Sequence, residues 1–245
     1  MPGKKIRLDQ TLVDKGMAQS RQRARAMIMA GNVLVDGNPV DKPGTFISIN
    51  DRIELKGADL PYVSRGGLKL EAALQALQLD IRGLTCLDVG ASTGGFSDCL
   101  LQHGAQRVYA VDVGYGQFAW KLRQDPRIVL IERTNIRNLT TDVVEPAVDL
   151  ATIDVSFISL KIVVPAVLKF MKKDSRILAL IKPQFEVGKG RVGKGGVVRN
   201  GALHQEVIDS LSIFFSDNGL LCESVFASPL RGPKGNREFF ISLKN

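Results

Sequence analysis

The chain has 245 residues, 44% of them hydrophobic, and a formal net charge of +8. This length is enough for one large hydrophobic core and one small additional module. The net positive charge favours a polyanionic partner, although a basic protein without such a partner would have the same charge. Cys86, Cys99 and Cys222 are too widely spaced for a disulfide framework or a paired-cysteine metal site. Because no run resembles a signal peptide or a membrane helix, we expect a cytoplasmic protein.

The first fifty residues predict two helices followed by a small sheet. Leu8 and Leu12 share one helical face in a segment that ends at Gly16. A second helix begins after an N-cap at Ser20 and ends at Gly31. Its buried stripe is predicted to be Ala24, Met27 and Ile28. The runs 33–35, 46–49 and 52–55, with a turn at 36–38, predict a sheet rich in hairpins.

Positive charge is concentrated at this end of the chain. The first 25 residues contain seven Lys or Arg and two acids, a balance that suits a phosphate track, although a solvated helix face has the same pattern. Through residues 7–9, 20–24 and 30–37 the unit resembles the S-four-like RNA-binding module, in which the second helix and hairpin lie against RNA. The resemblance implies that the RNA-binding residues are Lys4, Lys5, Arg7, Arg21, Arg23 and Arg25.

Residues 57–63 contain Gly57 and Pro61 and show no periodicity, so they are predicted to be a linker. The sequence thus predicts an RNA-binding domain at 1–56 and a larger domain at 64–245. The larger domain opens with a helix whose core-facing residues are predicted to be Leu70, Leu74 and Leu77.

Residues 84–96 form the most informative stretch, because a buried strand runs into a glycine-rich turn. Such a turn lets a ligand approach backbone N–H groups, which suits a nucleotide-type ligand. A dinucleotide site and a plain strand–turn–helix remain alternatives. Asp88 followed by a G-x-x-x-G-G pattern resembles motif I of S-adenosylmethionine-dependent methyltransferases, and Asp112 lies where an acid contacts a ribose. The implied cofactor-binding residues are Asp88, Gly90, Ser92, Thr93, Gly94, Gly95, Phe96, Asp112 and, more weakly, Asn135, which is also a common type of turn residue.

Strand-like and helix-like runs alternate beyond the turn and predict an α/β fold with a parallel sheet between helices. Strands are predicted at 107–112, 128–131, 148–154 and 176–182. Helices are predicted at 94–103, 116–123, 159–171 and 202–217. A final antiparallel pair, 220–227 and 238–243, is expected at the sheet edge, which resembles the class I (Rossmann-like) methyltransferase fold.

Charged residues follow several of these strands, where open α/β sheets build their sites. Any one of these residues could be charged only because its strand ends at the solvent-exposed surface. Together, Lys69, Asp154, Lys182 and Glu238 match the catalytic tetrad of FtsJ-like ribose 2′-O-methyltransferases. Nearly the whole chain resembles the TlyA family of haemolysin-like proteins and rRNA methyltransferases. Thr93 and Phe96 stand where the wider group usually has proline and tryptophan.

The resemblance implies transfer of a methyl group from S-adenosylmethionine to a ribose 2′-hydroxyl of ribosomal RNA. Lys182 is the candidate for accepting the hydroxyl proton or easing its loss, while Lys69, Asp154 and Glu238 tune and orient it. No metal is required, and His103 and His204 are expected to be surface or packing residues.

The segment 184–200 is rich in glycine and basic residues, and we predict a mobile loop over the reaction centre, with a disordered solvated loop as the alternative. Its RNA-binding candidates, together with one from the first helix of the large domain, are Lys189, Arg191, Lys194 and Arg65. Two other functions stay open, a membrane-active haemolysin and a non-catalytic factor for RNA binding or ribosome assembly.

Overall fold

The computed structural model forms two compact units, Met1–Leu60 and Pro61–Asn245, called here the N-terminal unit and the C-terminal unit. The residues that the structure describes are 5–18, 20–29, 31–55, 61–188, 190–232 and 234–245. Residues 57–60 of the predicted linker lie outside this range. Pro61 and Val63 are fastened to the C-terminal unit, since the Pro61 carbonyl oxygen accepts from Gln102 and the Val63 N–H donates to Asp98 Oδ2.

The N-terminal unit contains both predicted helices around a small apolar core. Its elements are β1 (Lys5–Arg7), α1 (Leu8–Asp14), α2 (Arg21–Met29), β2 (Val33–Val35), β3 (Asn38–Pro39), β4 (Phe46–Ser48) and β5 (Ile53–Leu55). The predicted buried stripe of α2 is confirmed. The expectation of one sheet was wrong, because β4 pairs with the unpredicted strand β1, while β3, β2 and β5 form a separate sheet.

The C-terminal unit is a seven-stranded sheet with helices on both faces. Its helices are α3 (Arg65–Ala76), α4 (Gly95–Gln102), α5 (Trp120–Arg123), α6 (Leu160–Leu168), α7 (Pro183–Glu186) and α8 (Gly201–Asp217). Its strands are β6 (Thr85–Val89), β7 (Arg107–Val111), β8 (Ile128–Ile131), β9 (Val148–Ile153), β10 (Met171–Ile181), β11 (Leu221–Ala227) and β12 (Phe239–Lys244).

The strand order, β11-β12-β10-β9-β6-β7-β8, places a topological switch at β6. The chain runs outward from β6 through β7 to β8 and then returns to β9 on the other side of β6, with these pairs parallel. The connecting loops therefore diverge at the carboxyl end of β6 and leave a crevice there. The predicted antiparallel pair is confirmed at the edge, where β12 lies between β10 and the edge strand β11.

Alternation along the strands divides the interior into two apolar cores. Leu87 and Val89 face one core with residues of α6 and α8, whereas Cys86 faces the other with residues of α3 and α4. Because β6 is buried on both faces, it tolerates a charged side chain only where hydrogen bonds compensate.

Two helices are shorter than the sequence pattern predicts. In the segment 116–123 only Trp120–Arg123 is helical, because the Gly116 N–H donates to Glu132 Oε1 over 2.8 Å and the Ala119 N–H donates to the Thr93 carbonyl oxygen. The segment 159–171 is helical only to Leu168, since Met171 pairs with Val148 at the start of β10.

Candidate active site

A cavity of about 230 Å³ lies at the carboxyl end of β6. Three segments line it: the start of α3, the glycine turn after β6 and the residue that follows β9. The lining residues are Ser64, Arg65, Gly66, Lys69, Gly90, Ala91, Ser92, Thr93, Gly95, Phe96 and Asp154. The structure thus brings together most of the predicted glycine turn with two of the four predicted catalytic residues.

Gly90 makes the close approach of the turn to β9 possible. Its φ is +85°, and a Cβ atom there would lie 2.4 Å from the Asp154 carbonyl oxygen. Gly94 does not line the cavity; a Cβ on it would lie 2.5 Å from Leu122 Cδ1, so the structure gives it a packing role. Only glycine meets both the conformational and the steric requirement at these positions.

Lys69 and Glu238 form a buried ion pair from remote parts of the chain. Lys69 Nζ donates to Glu238 Oε2 over 2.6 Å, and the side chains are 11% and 1% exposed. Glu238 Oε1 lies against the backbone of Gly232, where a Cβ would come within 2.4 Å of it. Lys69 is thereby fixed in the wall of the cavity by a carboxylate behind it.

Asp154 and Lys182 form a second ion pair, and Asp154 faces the same cavity. Lys182 Nζ lies 2.5 Å from Asp154 Oδ1 and donates to Ser156 Oγ over 3.2 Å. The contact with Asp154 lacks hydrogen-bond geometry, so this buried oxygen has no hydrogen-bond partner among the described residues. At this distance the Lys182 ammonium compensates the negative charge of the Asp154 carboxylate as an ion-pair partner. The four predicted catalytic residues thus occur as two lysine–carboxylate pairs, each with one member in the cavity wall.

Asp88 is enclosed and does not reach the cavity. Its carboxylate accepts from Ser97 Oγ over 2.6 Å and from Thr152 Oγ1 over 3.3 Å, which ties β6 to α4 and β9. Burial, reinforced by the nearby charge of Asp154, raises the pKa of Asp88 to about 7. Its observed contacts are therefore structural and lie beneath the turn.

Asp112 lies beside the turn, and neither Asp112 nor Asn135 is in the cavity lining. Asp112 accepts from the Ser92 N–H over 2.7 Å and from the Gly114 N–H over 2.6 Å, so it connects the end of β7 to the glycine turn. Asn135 Oδ1 accepts from the backbone N–H and Nε of Arg137, as a turn residue does.

Comparison with known proteins identifies the family of both units. The family model of FtsJ-like methyltransferases matches residues 62–245, and that of the S4 domain matches residues 6–53. A Mycobacterium tuberculosis protein named 16S/23S rRNA (cytidine-2'-O)-methyltransferase TlyA is 46% identical over 242 residues, covering 98% of this chain and 90% of that protein. The chain belongs to the TlyA family of FtsJ-like methyltransferases.

Other TlyA-family relatives carry a different name. A Brachyspira hyodysenteriae protein named Hemolysin A is 39% identical over 235 residues, covering 96% of this chain and 98% of that protein. A solved structure from Streptococcus thermophilus, described as a candidate hemolysin, has a TM-score of 0.78 and 42% identity and covers 98% of this chain and 88% of that chain. The fold and the family membership therefore agree over nearly the full length.

In the S4 domain of this TlyA-family chain, one buried carboxylate organises two of the predicted RNA-binding arginines. Asp9 is fully buried and accepts from Arg7 Nε and Nη2 over 3.0 and 2.9 Å and from Arg21 Nε over 3.1 Å. The Arg7 guanidinium lowers the pKa of Asp9 to about 2. Lys5 and Arg25 are exposed, Arg23 is half-buried, and Lys4 lies outside the described residues.

Basic candidates in the methyltransferase unit have different surroundings. Arg65 is exposed at the rim of the cavity, and Lys194 is exposed in a short 3₁₀ turn (Lys194–Gly196). Arg191 is held by both carboxylate oxygens of Glu206 on α8. Lys189 lies outside the described residues. The segment 184–200, predicted to be a mobile loop over the reaction centre, is anchored at two points, since Val187 and Val198 are buried in the core.

Three residues of the site region had no assigned role in the sequence analysis. Phe157, three residues after Asp154, is 90% exposed with φ +65°, and its ring centroid lies 4.9 Å from that of Phe185. Glu186 accepts from Ser159 Oγ and the Leu160 N–H and so caps α6. Asn236 is buried between two loops. The sequence alone gives little indication of these residues, because an aromatic or amide residue in a loop is common and only the fold shows that it is exposed or buried.

Proposed function

We propose that this chain transfers a methyl group from S-adenosylmethionine to a ribose 2′-hydroxyl of ribosomal RNA. The observation that carries the proposal is the pair of lysine–carboxylate ion pairs, each with one member in the wall of the glycine-turn cavity. Membership of the TlyA family and the rRNA methyltransferase name of the M. tuberculosis relative support this assignment.

Lys182 acts on the ribose hydroxyl in this proposal. A hydroxyl is a poor nucleophile, so its proton must leave or its developing negative charge must be stabilised. As an ammonium paired with Asp154, Lys182 cannot accept a proton, and it then works by stabilising negative charge on the oxygen. To act as the base it must first lose its own proton. The variant Lys182→Arg separates these roles, because it retains the charge and cannot act as a base.

Lys69 supplies a second fixed positive charge in the cavity wall, where Glu238 pairs with it. Glu238 neutralises the buried ammonium and holds it in one place, so that little reorganisation is needed during the reaction. A fixed charge of this kind keeps the hydroxyl oriented for in-line transfer.

The cavity suits one end of the cofactor. S-adenosylmethionine supplies a methyl group bound to a positively charged sulfur. The Asp154 carboxylate lines the cavity and places a negatively charged group beside that position. About 230 Å³ is less than the roughly 300 Å³ at the lower end of ligand pockets, so the ribose and adenine would extend beyond it, towards Asp112.

RNA is the proposed partner of both units. Arg7 and Arg21 present guanidinium groups suited to phosphates, and the exposed ring of Phe157 beside the reaction centre offers a stacking surface for an unpaired base.

The test is transfer of a tritium-labelled methyl group to purified ribosomal RNA by the full chain. Wild-type protein should label the RNA and Lys182→Ala should not, while both bind the cofactor alike by calorimetry. Lys173→Ala is the matched control, because Lys173 is an exposed lysine of β10, the strand that immediately precedes Lys182. A wild-type protein that binds RNA and cofactor without transfer would support the non-catalytic alternative instead.

The relative named Hemolysin A raises a membrane-active alternative. Among the described residues, no helix combines the length and apolar character needed to cross a membrane. Lysis of erythrocytes by the purified wild-type protein and equally by Lys182→Ala would support that alternative, because lysis would then be independent of the tetrad.

A further inference from the structure

Two basic segments of the C-terminal unit lie side by side next to Glu238. One is residues 190–199, and the other is the turn 228–237 between β11 and β12. Neither segment contains an Asp or Glu. Their exposed cations are Lys194, Arg199, Arg231, Lys234 and Arg237, which we call the composite basic surface. Arg191 is excluded from it, because Glu206 binds its guanidinium.

Buried Asn236 joins the two segments. Its Oδ1 accepts from the Val198 N–H over 2.9 Å, and its Nδ2 donates to the Gly196 carbonyl oxygen over 2.9 Å. Asn236 is only 3% exposed, so these hydrogen bonds are protected from water. Arg199 and Arg237 are each next in sequence to one of the bonded residues, so their backbones are held close together.

Further interactions fix the same junction. His204 on α8 donates from Nε2 to the Val198 carbonyl oxygen over 2.8 Å, so Val198 is held through both of its backbone groups. Lys234 lies over Gly196, where a Cβ would be 3.5 Å from Lys234 Nζ. Cations from the two segments therefore form one surface with little freedom to separate.

This surface adjoins the catalytic pair. The turn that carries Lys234 and Arg237 leads directly into Glu238, and Gly232 of the same turn packs against Glu238 Oε1. A polyanion bound along the surface would pass beside the Lys69–Glu238 wall of the cavity.

We infer that the composite basic surface binds the phosphate backbone of the substrate RNA close to the modified nucleotide, with Asn236 as its positioning residue. Five exposed cations with no acid on either segment give a local field that favours phosphates. Phosphate contacts fix the register of a nucleic acid, and register next to Glu238 is what the transfer requires. The identity of the anion as substrate RNA rests on the proposed function.

The test compares two double variants that remove the same charge. Lys234→Gln/Arg237→Gln neutralises the surface, and Arg107→Gln/Lys173→Gln removes two exposed cations near the amino ends of β7 and β10, at the opposite end of the sheet. Binding of fluorescently labelled, purified ribosomal RNA to the full chain is measured over a range of salt concentrations, with cofactor binding measured by calorimetry.

We expect Lys234→Gln/Arg237→Gln to weaken RNA binding and to reduce the slope of log K against log salt by about two, because each substitution removes one cation that neutralises a phosphate. Cofactor affinity should be unchanged. Equal weakening by the two double variants would contradict the inference, as would unaltered RNA binding by Lys234→Gln/Arg237→Gln. Weaker binding to ribosomal particles but not to naked RNA would identify a protein partner and overturn it too.

A second variant, Asn236→Ala, tests the positioning role without removing a charge. It should weaken RNA binding, and its effect should be less than additive with that of Lys234→Gln/Arg237→Gln, because both act on one surface. Full additivity would contradict the positioning role. A wild type that binds RNA as expected but transfers no methyl group would overturn the proposed function and leave the surface standing, so the two failures are distinguishable.

Discussion

The Asp9 cluster of the N-terminal unit and the cavity of the C-terminal unit use the same ion-pair chemistry for different ends. Asp9 binds two arginines whose side chains are 42% and 53% exposed, whereas Asp154 and Glu238 bind lysines that are 12% and 11% exposed. An exposed guanidinium can reach a macromolecule, while an enclosed ammonium can act only on atoms that enter the cavity. Both regions contain ion pairs, so the burial of the cation distinguishes them: the Asp9 cluster is a docking cluster, which can bind a macromolecule, and the cavity pairs form a reactive cluster, which acts on atoms inside the cavity.

The largest expected effect is at Lys182. Replacing it with alanine should lower the methyl-transfer rate by about 10²- to 10⁴-fold, the range that a positioned proton-transfer group contributes. RNA and cofactor affinities should stay close to wild type, as measured by anisotropy and calorimetry. Near-normal activity of Lys182→Ala would remove the distinction between the reactive and the docking clusters.

Glu238→Gln should destabilise the C-terminal unit by about 3 kcal/mol, because it leaves the Lys69 ammonium buried without its counter-charge. Urea unfolding of the full chain measures the change. Lys69→Met/Glu238→Leu should regain most of the stability and remain inactive, since apolar replacement removes both charges. If the double variant were active, the pair would be structural only.

Much of this comparison could be anticipated from the sequence. The glycine turn, the strand-end positions of Asp154 and Lys182 and the buried stripe of α2 follow from local patterns. The ion pair between Lys69 and Glu238 joins residues 169 positions apart, and only the family resemblance indicated it. The sharing of Asp9 by two arginines and the loop contacts of Asn236 depend on tertiary approach, which periodicity does not encode.

Replacing Asp9 tests its role in the Asp9 cluster, because neutralising the two arginines and orienting them predict opposite changes in RNA affinity. If Asp9 only neutralised Arg7 and Arg21, Asp9→Asn would tighten RNA binding by removing a negative charge. Because it orients both guanidiniums, we expect Asp9→Asn to weaken binding by about threefold to tenfold. Asp14→Asn on the same helix, where the carboxylate accepts only from Gln10 among the described residues, is the control and should have little effect.

The last prediction concerns the pH dependence of stability at Asp88. Its folded pKa of about 7 lies above the ordinary value of 3.8, so the folded state binds the proton more tightly. Its stabilising contribution is present in full below pH 3.8 and is lost as pH rises to about 7, by about 1.4 kcal/mol per pH unit. The free energy of unfolding of wild type minus that of Asp88→Asn should fall over this window and be flat above it. A constant difference would show that Asp88 titrates normally.

The central claim is that the two enclosed lysine–carboxylate pairs carry out methyl transfer to ribose. The most direct measurement is mass spectrometry of nucleosides from purified ribosomal RNA after incubation with S-adenosylmethionine and the full chain. We predict a 2′-O-methylated nucleoside with wild type and none with Lys182→Ala. A methyl group on a base, or equal 2′-O-methylation by both proteins, would contradict the account.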